Sequence, residues 1–297
     1  MPSVRSSDDV VLFSEERSEQ VVTRSFDATP DARLREVLQS LVRHLHAFAK
    51  EVDLSQPELD AAIDFLTRTG QKCDDVRQEF VLLSDVLGMS MLVDTITNRA
   101  SGSATESTVL GPFHMVDSPP RQLGEDIAQG RSGEQTLVTG QVLGDDGSPL
   151  PGATIDVWQA DDQGFYDVQL PDRVPQGNLR GLFTCDEDGR FRFRTIMPAP
   201  YPIPQDGPVG ELLAATRRHP NRPAHIHFIA GAVGYAPLTT HIFVAGSPYL
   251  DSDAVFGVKE SLVVDFAVVR DGDMVAEHAM PVPFRHTHVE LRLRSAR

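Results

Sequence analysis

The N-terminal part of the chain has the hydrophobic spacing of amphipathic helices. In residues 30–52, apolar side chains recur every three or four positions, which places them along one face of a helix. Residues 55–70 begin with Ser55 and have Glu58 three positions later, the spacing of a capping box. They end at Gly70, a common helix stop. The two stretches therefore predict two consecutive helices.

A third helix is predicted over residues 73–96. Because this stretch is apolar on most sides, we expect the helix to be largely buried. The three helices together predict a helical domain over residues 30–103. The preceding residues 1–29 are polar and have no clear period, so we expect them to form a loose N-terminal arm.

From residue 104 onward the pattern changes to short alternating runs between prolines and glycines, which is typical of half-buried strands. Residues 136–161 predict two strands around a turn at 145–147, and one short helix is predicted within 209–219. Many short strands separated by turns favour a β-sandwich or barrel, so we expect residues 104–297 to form a β-sandwich domain. The expected fold is mainly β with an α-helical N-terminal region. The other predicted strands lie within residues 191–198, 224–233, 239–246, 260–274 and 286–294.

The composition is that of an acidic globular protein. The 297 residues include 43 Asp and Glu against 27 Lys and Arg, a net charge of −16, with 40% hydrophobic residues. This charge disfavours nucleic-acid binding, which needs clustered cations, and is compatible with a small-molecule partner. No run of about 18 apolar residues is present, and the N-terminus does not have the pattern of a signal peptide. With two widely separated cysteines, Cys73 and Cys185, we expect a cytoplasmic protein with reduced thiols and no membrane partner.

The segment "RPAHIHF", residues 222–228, contains the best candidate for metal chemistry. Side chains two apart in a strand point to the same face, so His225 and His227 share one face of a predicted strand. Their apolar neighbours occupy the other face and can pack into a core. Two adjacent imidazoles on one face form a common metal-binding arrangement.

Two other His-x-His pairs are weaker candidates. His44 and His46 lie on a predicted helix, where two positions differ by about 200° and cannot easily face one ion. His286 and His288 lie on a terminal strand with charged neighbours, so we expect them to be solvated.

Two imidazoles need further ligands to define a metal site. A zinc hydrolase would add a carboxylate, a cysteine or a third histidine, and His241 on the next predicted strand could serve. A non-haem Fe(II) site would add a carboxylate, but no H-x-D/E motif is present. Tyr166, in a loop after a strand, and Tyr201, in a proline-rich loop, could instead supply phenolates. Two phenolates and one hydroxide would balance ferric iron beside two neutral imidazoles. The residues alone leave zinc and ferric iron open.

Three segments carry a resemblance to a known family. "DVWQADDQGFYD" (156–167), "PYPIPQDGPVG" (200–210) and "RPAHIHF" (222–228), in this order and spacing, resemble the signature of the intradiol ring-cleaving dioxygenases. These are the catechol 1,2-dioxygenase-like enzymes with non-haem Fe(III). The resemblance extends from the N-terminal helices to about residue 265. It implies a helical domain that forms a homodimer and a β-sandwich catalytic domain, in agreement with the hydrophobic pattern.

The resemblance also implies roles for individual residues. One Fe(III) per subunit would be held by Tyr166, Tyr201, His225 and His227. When the substrate binds, Tyr201 would leave the iron and accept a substrate proton. Arg222, which is always cationic, would stabilise negative charge on the ring.

Two further segments, residues 77–94 and 239–262, most resemble the members of the family that cleave hydroxyquinol (benzene-1,2,4-triol). Catechol-cleaving members usually have Gln where this chain has His241. Asp85, predicted on a buried helix face, needs a polar partner, which the third hydroxyl of hydroxyquinol would provide. The alternative is a structural pairing of Asp85 with an arginine or a helix end. The implied pocket consists of Leu82, Asp85, Val109, Gly111, Pro112, His241 and Val255.

The implied reaction is cleavage of hydroxyquinol by O2 between its ortho hydroxyls, giving 3-hydroxy-cis,cis-muconate, the enol form of maleylacetate. Catechol or chlorocatechol cleavage is the nearest alternative. An alternative of another class comes from residues 140–161, which by themselves also resemble transthyretin-like binding modules. Such non-catalytic β-sandwiches lack the tyrosine and histidine set, so bound iron distinguishes the two classes.

Overall fold

The computed structural model describes residues 11–74, 77–99, 102–129 and 132–296. Residues 1–10 of the expected arm and residues 75–76 of the expected third helix lie outside the described residues. The helices in the described ranges are α1 (Ser18–Arg24), α2 (Ala32–Glu51), α3 (Gln56–Gln71), α4 (Glu79–Val86), α5 (Met89–Thr97), α6 (Pro208–Ala215) and α7 (Asp273–His278).

The strands follow the predicted runs and add several short ones that were not predicted. They are β1 (Gln135–Gly144), β2 (Thr154–Gln159), β3 (Arg180–Thr184), β4 (Arg190–Ile196), β5 (Tyr201–Pro202), β6 (Asn221–Arg222), β7 (His225–Gly231), β8 (Leu238–Val244), β9 (Val263–Val264), β10 (Ala267–Val269) and β11 (Phe284–Leu293).

The described chain divides into two compact units, one ending at Thr67 and the other beginning at Arg68. This division differs from the boundary that the sequence suggested near residue 103. The reason is that α4 is bonded to the β-rich unit. The Glu79 carboxylate accepts the backbone N–H of Val209 in α6 at 3.1 Å, and Arg218 Nη1 donates to the Val86 carbonyl at 2.6 Å.

The first unit contains the first predicted helix, most of the second, and one helix that was not predicted. Asp31 caps α2 by accepting the backbone N–H groups of residues 33 and 34 at 2.8 and 2.9 Å. At the start of α3, the Glu58 carboxylate accepts the Ser55 N–H at 2.9 Å, as the capping-box spacing predicted. Residues 18–24 of the expected loose arm form α1 instead. This helix is too short for a periodic pattern to reveal it.

The expected third helix is broken in two. Gly88 has φ +73°, a left-handed conformation that ends α4 and redirects the chain into α5. Only α4 matches the expected burial, because Met91 is the one buried residue of α5.

Within the described chain, no single helix is long and apolar enough to cross a membrane. Only α4 and α5 taken together reach that length, and they are bent by 78°.

The second unit is built on two sheets. One has the strand order β10-β11-β1-β4 and the other β3-β2-β7-β8-β9, with β5 and β6 paired separately. Apolar side chains of both sheets meet in one core, which makes the unit a β-sandwich as expected. Core members include Val138, Phe193 and Val289 from the first sheet and Phe228 and Ile242 from the second.

The predicted turn at residues 145–147 is present, but its flanking strands do not pair. The Gly144 N–H donates to the Ser148 carbonyl at 2.8 Å, which closes the turn. However, β1 pairs with β4 and β11, whereas β2 pairs with β3 and β7 in the other sheet. The chain from 145 to 153 contains Pro149 and Pro151, which cannot donate to a ladder, and it is long enough to cross from one sheet to the other.

Candidate metal centre

The histidines of β7 lie on the face of the five-stranded sheet that is turned away from the sandwich core. Ile226 and Phe228 point into the core, so His225 and His227 point out of it, as the two-residue period predicted. His241 on β8 lies directly opposite His227 in register. All three histidines are nevertheless buried, with at most 2% of each residue exposed.

Two tyrosines bring their hydroxyls to this histidine pair. Tyr166 Oη is 3.0 Å from His227 Nε2, and Tyr201 Oη is 3.5 Å from His225 Nε2. The two hydroxyls are 3.2 Å apart, and the two Nε2 atoms are 3.1 Å apart. Ligands at about 2.1 Å from one ion, with angles between 90° and 109°, are about 3.0–3.4 Å from one another. The four atoms therefore have the spacing of ligands around a single metal ion.

The loop after β2 positions Tyr166. The Asp161 carboxylate accepts the backbone N–H groups of Gln163 and Phe165, each at 2.9 Å, and folds the chain back. Gly164, with φ +87°, leaves room for the second tyrosine, because a Cβ at this position would lie 2.8 Å from the Tyr201 Cβ. This glycine lets the two ligand loops approach each other.

Tyr201 is positioned by a strand pair that the proline-rich sequence did not predict. Tyr201 and Pro202 form β5, which pairs with β6 so that Tyr201 faces Arg222 across the ladder. A proline is tolerated there because the pair has only two strands. Arg222 Nη1 thereby lies 3.3 Å from His225 Nε2. The predicted ligands and the predicted catalytic cation come together through this pair.

The electrostatic surroundings favour neutral imidazoles and a phenol that ionises only next to a cation. Burial lowers the pKa values of His225, His227 and His241 well below the ordinary value, which leaves lone pairs free for a metal. Burial, and then the neighbouring Tyr201, raises the pKa of Tyr166 well above its ordinary value. A strong cation is therefore needed to hold the phenolate form.

One hydrogen bond already orients a donor for metal binding. His225 Nδ1 lies 2.7 Å from the Pro223 carbonyl, so the proton is on Nδ1 and the lone pair of Nε2 faces the cluster. Phenolate and imidazole donors in a buried pocket suit a non-haem iron ion. The fold and the donor set together define a β-sandwich protein with a candidate non-haem metal centre.

His241 adds a third imidazole to the cluster. The candidate ligand atoms of His225, His227 and His241 lie within 4.8 Å of one another, so the structure also assembles the alternative three-histidine set. His241 Nδ1 is hydrogen-bonded to Thr108 Oγ1, and its Nε2 has no partner among the described residues. That buried nitrogen is available to a bound molecule.

Of the other predicted pocket residues, Gly111 lies against the cluster. Gly111, with φ +78°, approaches closely, because a Cβ there would lie 3.1 Å from His227 Cε1. The remaining predicted pocket residues differ in burial. Leu82 and Asp85 are buried on α4, Val255 is buried in the loop after β8, Val109 is half-buried, and Pro112 is exposed.

Two residues at the centre had not been identified from the sequence. Trp158 stacks on His227 with ring centroids 4.5 Å apart, and it lies opposite His227 in the sheet register. As the chain's single tryptophan within an alternating strand, it could have been identified. Asp253, which pairs with Arg222, lies in an irregular loop whose sequence has no periodic signal.

The other histidine pairs lie elsewhere. His286 and His288 both contact Thr139 Oγ1, at 2.9 and 3.0 Å. His286 is half-buried, so the expectation of two solvated histidines is wrong for that residue.

Comparison of the chain with known proteins identifies its family. A family model described as "Catechol dioxygenase N terminus" matches residues 31–105, and one described as "Dioxygenase" matches residues 113–293. The chain is 50% identical over 274 residues to the hydroxyquinol 1,2-dioxygenase of Rhizobium sp. (strain MTP-10005), covering 92% of this chain and 93% of that protein.

Solved structures agree with these matches. Hydroxyquinol 1,2-dioxygenase from Pseudomonas putida DLL-E4 has a TM-score of 0.90 and 49% identity, covering 95% of this chain and 99% of that one. Catechol 1,2-dioxygenase from Acinetobacter sp. ADP1 has a TM-score of 0.79 and 28% identity, covering 97% and 95%. The chain belongs to the intradiol ring-cleaving dioxygenase family. It is an enzyme of that class, and its donor set fits the non-haem iron that the family uses.

Proposed function

We propose that this chain is a non-haem ferric dioxygenase that cleaves hydroxyquinol between its ortho hydroxyls to 3-hydroxy-cis,cis-muconate, with one iron per subunit. The observation that carries the chemistry is the convergence of two phenols and two imidazoles within 3.0–3.5 Å. The relatives described above support hydroxyquinol as the substrate. Residues 104–297 are the proposed catalytic domain, and residues 30–103 are the proposed dimerisation domain.

In this proposal Tyr166, Tyr201, His225 and His227 hold the iron. When bound, ferric iron supplies Lewis acidity toward the diol. Of the two tyrosines, Tyr201 would be the one to give up its place to the substrate, since its hydroxyl lies farther from its histidine neighbour, at 3.5 Å against 3.0 Å for Tyr166. Its Oη would then accept a substrate proton. Arg222, facing Tyr201 across the β5–β6 ladder, stabilises the resulting negative charge.

Tyr166 is the tyrosine that stays in place. Its ring stacks on Phe113 with centroids 4.6 Å apart, and its backbone N–H is fixed by Gln169 Oε1 at 2.9 Å. The surrounding aromatic rings and the two ligand loops exclude water from the donor atoms, since both tyrosines are buried. A dry site strengthens the charge interactions of the reacting diol.

Asp85 is the proposed recognition residue for the third hydroxyl. It is buried on α4, with 6% of the residue exposed. Burial raises the pKa of its carboxyl, while the hydrogen bond from Ser90 and the charge of Arg222 oppose that shift. A buried carboxyl with few partners is an acceptor for a substrate hydroxyl.

Replacing Asp85 by leucine is expected to reduce the preference for hydroxyquinol over catechol. The variant offers no acceptor to the third hydroxyl, so the ratio of the two kcat/KM values should fall by about 10²-fold or more. Steady-state oxygen uptake on both diols measures that ratio. Asp85→Asn is the matched control, because its amide oxygen still accepts a hydrogen bond. An unchanged ratio in Asp85→Leu would show that Asp85 is structural.

The proposed function as a whole is tested by oxygen uptake of iron-loaded protein with hydroxyquinol and catechol in parallel. Because hydroxyquinol autoxidises, the Tyr166→Phe variant serves as the blank. Strong uptake with hydroxyquinol and weak uptake with catechol is the expected result. Preference for catechol would contradict the proposed substrate. Stoichiometric zinc in place of iron would favour the three-histidine hydrolase that His225, His227 and His241 could form.

A homodimer through the N-terminal helices is also part of the proposal. The apolar face of α2 is about half exposed in the single chain, which is costly for a helix in water. Its exposed members are Leu34, Val37, Leu41, Leu45 and Phe48.

A cytoplasmic location completes the proposal, in line with the free thiols of Cys73 and Cys185.

Replacing Leu41 by aspartate is expected to convert the dimer to a monomer. The substitution places a charge within the apolar face of α2, and an unpaired buried charge at an interface costs several kcal/mol. Light scattering after size-exclusion chromatography measures the mass. Arg43→Asp, on an exposed position of the same helix, is the matched control and should remain dimeric. A dimeric Leu41→Asp variant would place the interface elsewhere.

A further inference from the structure

The carboxylate of Asp253 is the centre of a buried hydrogen-bond cluster beside Arg222. Its side chain is 2% exposed, and that of Arg222 is 3% exposed. Asp253 Oδ1 accepts Arg222 Nε at 3.1 Å, and Oδ2 accepts Arg222 Nη2 at 3.4 Å. The same carboxylate accepts the backbone N–H groups of Val255 at 3.3 Å and Gly257 at 2.9 Å. Four N–H donors therefore converge on one carboxylate.

The two-point contact fixes the plane of the guanidinium. With Nε and Nη2 both engaged by Asp253, the remaining nitrogen, Nη1, is the one aimed at His225 Nε2, 3.3 Å away. Gly257 closes the arrangement, since a Cβ there would lie 3.0 Å from Arg222 Nη2 and 3.1 Å from Asp253 Oδ2. The cation has little freedom to turn while Asp253 holds it.

The loop that carries Asp253 also carries part of the proposed pocket. Val255 is buried, and its N–H is bonded to the carboxylate oxygen that binds Arg222 Nε. The neighbouring Ala254 carbonyl accepts Arg218 Nη2 at 3.1 Å, while Arg218 Nη1 bonds the Val86 carbonyl at the end of α4. The loop is thereby tied both to the catalytic cation and to the helix that carries the recognition residue.

We infer that Asp253 is a positioning residue for the reaction: it holds the Arg222 guanidinium with Nη1 facing the donor cluster. The inference rests on the proposed function, in which Arg222 stabilises charge on the ring. In the described chain Asp253 has hydrogen bonds to Arg222, Val255 and Gly257 rather than to the four donor atoms, so it acts through Arg222.

The test is a double-mutant cycle with Asp253→Asn and Arg222→Met. In the parent background, Asp253→Asn is expected to lower kcat by about 10–100-fold, with iron content and the ferric visible spectrum unchanged. In the Arg222→Met background the same change should alter kcat by no more than about twofold, because the group it positions is gone. Asp251→Asn is the matched control, since it removes the same charge from an exposed position of the same loop and should keep parental kcat.

The outcomes separate positioning from simple structural support. Multiplicative losses in the cycle would show that Asp253 acts independently of Arg222, and would overturn the inference. Loss of iron from a folded Asp253→Asn variant would also overturn it, since positioning leaves the donor set intact. If Asp253→Asn does not fold, the comparison of Arg222→Met with the double variant still decides. Equal kcat values for these two proteins support the inference, and unequal values contradict it.

A second readout does not depend on iron. In the metal-free protein, each single substitution is expected to lower the unfolding temperature more than the double substitution does, because each leaves one buried charge unpaired. The cycle is run on whichever diol the parent turns over. If the parent protein prefers catechol, the proposed substrate is wrong. The inference is still decided by comparing the loss of kcat from Asp253→Asn in the parent background with that in the Arg222→Met background.

Discussion

Tyr166→Phe protein is expected to be nearly colourless and poor in iron. The substitution removes one proposed anionic ligand while leaving the ring that stacks on Phe113, so the effect isolates the phenolate oxygen. Mutating a residue that only supports a ligand typically lowers metal affinity by roughly 10–100-fold. Removing a ligand itself should lower the iron affinity by more than that. Turnover of hydroxyquinol should fall with the iron content. Metal analysis and the visible tyrosinate-to-iron band, recorded on protein loaded with ferric iron, measure both effects.

The control for this prediction is Tyr249→Phe. Tyr249 lies outside the donor cluster, with its ring 4.7 Å from that of His219, so its removal should leave colour and iron unchanged. A Tyr166→Phe protein that keeps the full band would show that the phenol is not a ligand. The role of its hydroxyl would then be the hydrogen bonds to Tyr201 and His227.

Arg222→Met protein is expected to bind iron normally and to turn over substrate about 10²–10³ times more slowly, as when one preorganised donor is removed from an active site. Arg222 is the cation nearest the cluster in the described chain, with Nη1 3.3 Å from His225 Nε2. Methionine retains much of the volume but none of the charge. The loss should appear in kcat more than in KM, because the charge that Arg222 is proposed to stabilise develops during the reaction.

The control here is Arg217→Met, a neighbouring arginine at an exposed position, which should behave as the parent protein. Arg222→Lys separates charge from geometry, since a lysine keeps the charge but cannot make the two-point contact with Asp253. An Arg222→Met enzyme with parental kcat and full iron would contradict the assigned role.

Local periodicity predicted those features of the site that depend on a single strand. The alternation in β7 correctly placed His225 and His227 on one face, because strand geometry alone determines which side chains share a face. The helix α2 and the cap at Ser55 were also predicted from local signals, namely the helical spacing of apolar residues and the three-residue spacing of Ser55 and Glu58. Likewise, the sandwich class follows from the number and spacing of short strands.

Features that depend on distant segments were not predicted by pattern. The pairing of Tyr201 with Arg222 joins two loops, and neither loop has a strand signal. The tyrosines came from resemblance to the family rather than from spacing. The break at Gly88 was missed because apolar residues occur on most sides of this stretch, so the period gave no boundary. Asp253 was missed because its partners are an arginine 31 positions away and two amides of its own loop.

The outward placement of the histidines on the five-stranded sheet has a consequence for how such enzymes can diverge. The residues that pack the sandwich and the histidines of the candidate metal centre lie on opposite sides of the same sheet, so one set can change without the other. The proposed substrate-contacting residues on α4 and in the loop after β8 lie outside these strands, so changes there would alter which ring is accepted without disturbing the packed interior. One scaffold can thereby give rise to enzymes for differently substituted aromatic diols while its stability is inherited unchanged.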